Sequence, residues 1–393
     1  MLALPSCKKE SPTQVQQTFD CTQSTINANT TLGPGIYTIN CNIEVTSPYT
    51  LTIAPGTTLI FGQGNQVQVD QGASLSALGT SSNPIVFKGS QSTAGYWGGI
   101  FINSVSVTNQ FTYCTISGGG YKVNSGNTFG ADVSIYQGTA GFTNCTVNNS
   151  SDAGFYFYGI YSSAQYVDGA IFNTFSNNTV SSCGSYPIVT FAAGAGSIGT
   201  GNTFSGNTNN SIAVQSETSN VSVAVTLSAL TVPYDFIQLG GNSGDVFDKG
   251  FTIAPGTTIL MGSGISLSAS PIGTFTANGT STNAITIKGE QATAGFWGSL
   301  NVQSPNANSF QYCNISGGGG AASYQINAGQ RGLISTYMYI PSARNITVRN
   351  CTLSNSGSSG IYVSPDAPAV TPTYNSDITT SNTFTGCTPN VQM

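Results

Sequence analysis

The chain has 393 residues, of which only 6% are charged and 39% are hydrophobic, and histidine is absent. That apolar share excludes disorder, and nine scattered Lys and Arg against fourteen acids, net charge −5, leave no basic patch for nucleic acid. No apolar run is long enough for a transmembrane helix, so Gly, Ser, Thr and Asn must supply most of the solvated surface.

The N-terminus comes first along the chain. Leu4-Pro5-Ser6-Cys7, followed by Lys8-Lys9-Glu10, resembles the end of a bacterial lipoprotein signal, in which the cysteine is lipidated. The resemblance implies an exported protein, at the outer membrane and cell surface or extracellular, whose contact with a membrane is a lipid on Cys7. MLALPS is too short to supply the apolar stretch of such a signal, so under this reading the true start lies upstream. Residues 1–20 are thus expected to be signal remnant and tether, and 11–40 to cap the core. Cys21 and Cys41 stand about one coil apart and are the expected disulfide.

From residue 51 apolar residues come in short alternating bursts: Leu51 and Ile53, Leu59 and Phe61, Val67 and Val69, Leu75 and Ala77, Ile85 and Phe87. Turns such as Ala54-Pro55-Gly56 and Gly62-Gln63-Gly64 separate them, whereas no helical periodicity appears. Strands recurring about every eight residues, three to a coil, suit a solenoid. Asn-rich turns recur as NTFSNNT at 173–179, NTFSGNT at 202–208 and NTFTGCT at 382–388, and Asn tolerates the left-handed backbone such turns need.

The chain is also duplicated. TIAPGTT at 52–58 returns at 252–258, and 24 of 54 positions are identical between 51–104 and 251–304. STAGYWG at 92–98 faces ATAGFWG at 292–298, and SGGG at 117–120 faces SGGG at 316–319. A solenoid grows by adding coils and tolerates such copying. Two continuous units are expected, 21–215 and 216–393, joined at a loop over 243–250.

LTIAPGTTLIF, LSALGTSSNPIVFKG, AGYWGGIFI and SGIYV at 359–363 resemble the right-handed parallel β-helix proteins of the pectin-lyase-like group, especially surface lipoproteins of that shape in Bacteroidetes-type bacteria. The fold class is therefore all-β, a right-handed parallel β-helix of two duplicated units. The group contains lyases, hydrolases and adhesins, so the fold implies no activity.

Several constellations bear on chemistry. Cys114 matches Cys313, Cys145 matches Cys351 and Cys183 matches Cys387, as expected for small residues stacked inside the coil; without histidine or a C-x-x-C pair, no zinc or other cofactor is expected. SGGG lacks the Lys-Ser/Thr of a phosphate loop and reads as a turn. Trp97 and Trp297, in matching frames, read as packing residues. Asp132, Asp152 and Asp168 have no partners in the second unit, and the acids look too dispersed for a hydrolytic pair.

Two candidate sites remain. In Gly154-Phe155-Tyr156-Phe157-Tyr158 the alternation turns Tyr156 and Tyr158 outward, with Tyr362 as the second-unit match, and Tyr161, Tyr166, Tyr337 and Tyr339 extend a patch suited to sugar rings. All three arginines, Arg331, Arg344 and Arg349, lie in the second unit, and Arg344 and Asp366 are one coil apart, which would suit a polysaccharide lyase. The favoured expectation is a non-catalytic, exported surface β-helix for adhesion or polysaccharide binding, or a structural surface component, with polysaccharide or another surface protein as partner and end-to-end stacking at the C-terminal coil; an Arg-centred lyase is the alternative and an ice-binding solenoid a lesser one.

Overall fold

A computed structural model describes residues 15–121, 130–158, 171–216, 220–238, 244–320, 331–336, 343–364 and 372–393. All pairings between its strands are parallel, and they form sheets of eight, fourteen, six, six and six strands. The chain is a right-handed parallel β-helix. One coil shows the plan: Thr50–Ile53 enters a six-stranded sheet, Thr57–Phe61 the eight-stranded sheet and Gln66–Val69 the fourteen-stranded sheet. Ser74–Leu78 then returns to the first of these, one coil on.

The alternation read from sequence sets the register. Leu59 and Phe61 are fully buried beside Tyr37, Ile39, Phe87 and Gly89, while Thr58 and Ile60 between them are only partly covered. Inward aromatic rings meet from coil to coil: Phe111 stacks on Phe142 at 4.5 Å, and Phe275 packs tilted against Phe310 at 4.9 Å. The six duplicated cysteines are buried and unbonded, and only Cys21 and Cys41 form a disulfide among the described residues, with Cα atoms 5.9 Å apart. Burial, with the neighbouring Cys145 thiol, pushes Cys114 well above the ordinary thiol range, so it remains a protonated packing residue.

Each inward cysteine follows a sharp bend. Tyr113, Asn144, Tyr312 and Asn350 hold φ between 47° and 56°, the left-handed region, immediately before Cys114, Cys145, Cys313 and Cys351. Asparagine amides tie these bends together along the axis. Cys145 N–H donates to Asn178 Oδ1 at 2.9 Å, Asn178 N–H donates to Asn202 Oδ1 at 2.9 Å, and Asn178 Nδ2 donates to the Phe142 carbonyl at 3.0 Å. Asn178 is 1% exposed, so Asn178→Ala strands a buried N–H and a buried carbonyl. A loss of about 2–3 kcal/mol is expected, read as a lower urea midpoint with an unchanged slope.

The two copies do not face the same way. Thr57–Phe61 lies in the eight-stranded sheet, but its duplicate Thr258–Met261 lies in the fourteen-stranded sheet, which in the first copy holds Gln66–Val69. Along that sheet the order from Gln66–Val69 to Thr258–Met261 takes seven steps. The offset between the copies is therefore seven turns plus one face, and each repeated surface motif is carried round to the next side of the solenoid. Near the change of phase a five-residue helix, Ala192–Gly196, stands between Ile188–Thr190 and Thr203–Ser205, where a strand of the third face would fall. The fourteen-stranded sheet runs on through the junction, Ile212–Gln215 pairing with Tyr234–Ile237.

Candidate functional site

Two matching grooves lie on the outside of the described residues. In the first copy, Val86 and Lys88 point outward from Ile85–Gly89, and Thr115, Ser117 and Asn148 follow on the next two coils. With the 89–92 segment as one wall they line a groove of about 470 Å³. In the second copy Leu260, Lys288, Ser316 and Ser354, with 289–292 as the wall, line one of about 540 Å³. Both walls are pinned alike: Asn149 Nδ2 donates to the Ser92 carbonyl and Asn355 Nδ2 to the Ala292 carbonyl, each at 2.9 Å. Asn149 and Asn355 both sit at positive φ, 60° and 54°, which aims the amide back across the turn. Each groove thus offers one exposed ammonium, a wall glutamine (Gln91 or Gln291) and hydroxyls.

The grooves differ at one rim. Ser90 of the first copy, whose hydroxyl lies 3.2 Å from that of Tyr96, is Glu290 in the second. Glu290 acts on Asp235, which lies on the outer side of the fourteen-stranded sheet and is 6% exposed. Burial first, then the Glu290 carboxylate, pushes Asp235 up to about 7, against hydrogen bonding from Ser211 and Tyr186. Sequence reasoning took the acids to be dispersed, and this pair corrects it. The signal that could have found it is register: Asp235, Leu260 and Lys288 lie side by side on consecutive strands.

The tyrosines are outward but not open. Phe155 and Phe157 fill the core as expected, whereas Tyr156 is 5% exposed and Tyr362 3%. Tyr156 joins a second apolar cluster outside the core, with Ala131, Ala153, Val189 and Ala213, against which Tyr158, Tyr186 and Ile237 pack. Ser134 and Val189 stand beside Tyr156 on the neighbouring strands, and the Tyr158 ring stacks on it at 4.9 Å. Sugar stacking on Tyr156 or Tyr362 is thereby corrected, while Tyr158 is half-buried; Tyr161, Tyr166, Tyr337 and Tyr339 lie outside the described residues.

The three arginines stand in different surroundings. Arg344 is 1% exposed and donates from Nη1 to the Thr336 carbonyl at 2.6 Å, a structural bond within the coil rather than a surface ion pair. Arg349 is exposed and pairs with Asp377 at 3.0 Å. Arg331 leads into Gly332–Ser335, on a different sheet from Asn345–Arg349. Asp366 and Cys7 lie outside the described residues. Trp97 and Trp297 are fully buried, each indole N–H donating at 2.8 Å to the carbonyl of Ser117 or Ser316, and the adjoining glycines form tight turns with Gly118 and Gly317 at φ 78° and 80°.

Residues 24–134 match the family model described as a pectate-lyase like β-helix domain. No curated protein matches this sequence. Among solved structures the chain is similar to the Dettilon tailspike protein (gp208), with 12% identity, a TM-score of 0.27 and coverage of 90% of this chain. It spans 63% of the tailspike chain, less than two thirds of its length.

Proposed function

We propose that this protein is an exported, non-catalytic β-helix of the cell surface that binds an acidic polysaccharide in its two grooves, anchored through a lipid on Cys7. The observation that carries this is the duplicated groove. A lysine, a glutamine, hydroxyls and a pinned wall recur together in both copies, at 470 and 540 Å³, in a chain with only nine cationic residues. Rigid, nearly neutral sheet with amides and hydroxyls suits sugar hydroxyls, and the single ammonium suits a carboxylate or sulfate on the polymer. Among the described residues lining the first groove there is no carboxylate and no second cation, so neither a hydrolytic pair nor a base with a charge-neutralising partner stands there. The Cys21–Cys41 disulfide fits an oxidising compartment.

Retention on a polygalacturonate affinity gel, beside a neutral glucan gel, tests the reading. Binding to the acidic gel is expected, with Lys88→Ala and Lys288→Ala each weakening the affected groove about fivefold, or about 1 kcal/mol. No retention of the parent protein, or unchanged retention of the double variant, would sink it. Release of new reducing ends or unsaturated products from the polymer would overturn the non-catalytic part.

A further inference from the structure

The phase shift between the copies gives the two grooves a relation that their similarity alone would not. The first groove opens on the eight-stranded sheet, over Ile85–Gly89 and Cys114–Ser117. The second opens on the fourteen-stranded sheet, over Thr258–Met261, Ile285–Gly289 and Cys313–Ser316. The coil that carries Lys88 continues into Gly99–Ile102 on the fourteen-stranded sheet, and from there the order runs seven strands to Ile285–Gly289, which carries Lys288. At the usual spacing of paired strands, about 4.8 Å, that is about 34 Å along the axis. The grooves are thus far apart along the solenoid and on neighbouring, non-coplanar faces.

A duplication by a whole number of turns would have placed both grooves on one face, in line, as two stations for a single extended polymer. The observed offset cannot do this. A polymer lying along the eight-stranded sheet over Lys88, Ser117 and Asn148 stays on that face and does not meet Lys288. The walls that fix each groove are rigid parts of the coil, pinned by Asn149 and Asn355, so the two binding directions are held at a constant angle by one continuous sheet.

From this we propose that the protein is a bivalent cross-bridge, seating one acidic polysaccharide chain in the Lys88 groove and a second, separate chain in the Lys288 groove. The inference rests on the reading of the grooves as polysaccharide sites. It adds a function to that reading: tying two polymer strands together across the solenoid, so that a single copy crosslinks a matrix. Linking two weak sites on one rigid body also yields avidity on a dense polymer layer and little on isolated short oligomers.

The test uses the full chain, beads coated with polygalacturonate, and fluorescent polygalacturonate free in solution. Protein bound to the beads reports the groove reading, and labelled polymer captured by that bead-bound protein reports bridging. The parent protein is expected to bind and to capture. Lys88→Glu and Lys288→Glu each leave one working groove, so each single variant is expected to bind the beads yet lose capture by tenfold or more, and the double variant to lose bead binding. Both lysines are exposed, and circular dichroism of the variants should match the parent. Absence of bead binding by the parent overturns the groove reading and this inference with it. Bead binding without capture, or full capture by either single variant, overturns the cross-bridge alone.

Discussion

Trp97→Ala is expected to lower the stability of the first unit by about 3–5 kcal/mol, the usual range for a large ring removed from a closed core. Trp97 is fully buried, its ring lies parallel to that of Phe61 at 4.6 Å, and its indole N–H donates to the Ser117 carbonyl at 2.8 Å. Truncation therefore opens a cavity beside Phe61 and strands a carbonyl that begins the SGGG turn. That turn borders the first groove through Gly118, so groove binding should weaken along with stability. The second copy provides the control. Trp297 makes the same bond to Ser316, but Met261 stands where Phe61 does, so Trp297→Ala should cost less than Trp97→Ala by about the value of one aromatic pair, 0.5–1.5 kcal/mol. As the chain has only two tryptophans, each variant keeps one fluorescent reporter in the other unit, and urea titration followed by fluorescence and circular dichroism reads both. Equal costs for the two substitutions would show that the Phe61 ring adds nothing; a cost under about 1 kcal/mol for Trp97→Ala would contradict the packing role itself.

How much of this was open to sequence reasoning depends on what each feature rests on. The alternation of Leu59, Phe61, Val67 and Val69 fixes which side chains enter the coil, because strand period is a local property, and the cysteine frames and Phe155 with Phe157 followed from the same rule. The disulfide followed from coil length, which brings Cys21 and Cys41 together. What failed was exposure. Period two says that Tyr156 leaves the core, but not that Ala131, Val189 and Ala213 from other coils, with Ala153 of its own strand, cluster round it. Arg344 departs from expectation in the same way, since its burial goes with a bond to the Thr336 carbonyl that residue spacing does not reveal. The grooves were hidden for a different reason. Lys88 and Lys288 stand in matching frames, FKGSQ and IKGEQ, but a shared frame says only that the coil repeats, not that a groove opens over it. The phase of the second copy is invisible to alignment altogether, because an offset in residues is not an offset in turns until the length of every coil is known.

Stability should fall as pH rises from about 5 to 8, and Asp235→Asn should remove part of that fall. An unfolded aspartate titrates near 3.9, whereas burial and the Glu290 carboxylate hold Asp235 at about 7 in the folded protein. Below about pH 4 both states carry the proton and the group contributes no pH dependence. Between about 4 and 7 the folded state binds a proton that the unfolded state has lost, so unfolding becomes easier with each rise in pH, and above 7 the loss is complete. A rise of that size corresponds to about 4 kcal/mol, an upper figure. For a chain of this length unfolding as one body, that is about 5 °C in the thermal midpoint. Asp132 acts with the same sign. It is fully buried, burial pushes it well above the carboxylate range, and its Oδ1 accepts from Gly119 N–H at 2.6 Å while Oδ2 has no partner. By register its counterpart in the second unit is the buried Leu333, since Val133 lies beside Ile100 as Ile334 lies beside Leu300. The duplication thus supplies the apolar solution to the same position, and Asp132→Leu should raise the midpoint at pH 8 more than at pH 5. Differential scanning calorimetry from pH 5 to 8 on the parent protein, Asp235→Asn and Asp132→Leu separates the two groups. A parent midpoint that is flat or rises across this range would refute the placement of both carboxyls, and a parent-like slope in Asp235→Asn would refute the pairing with Glu290 as its cause.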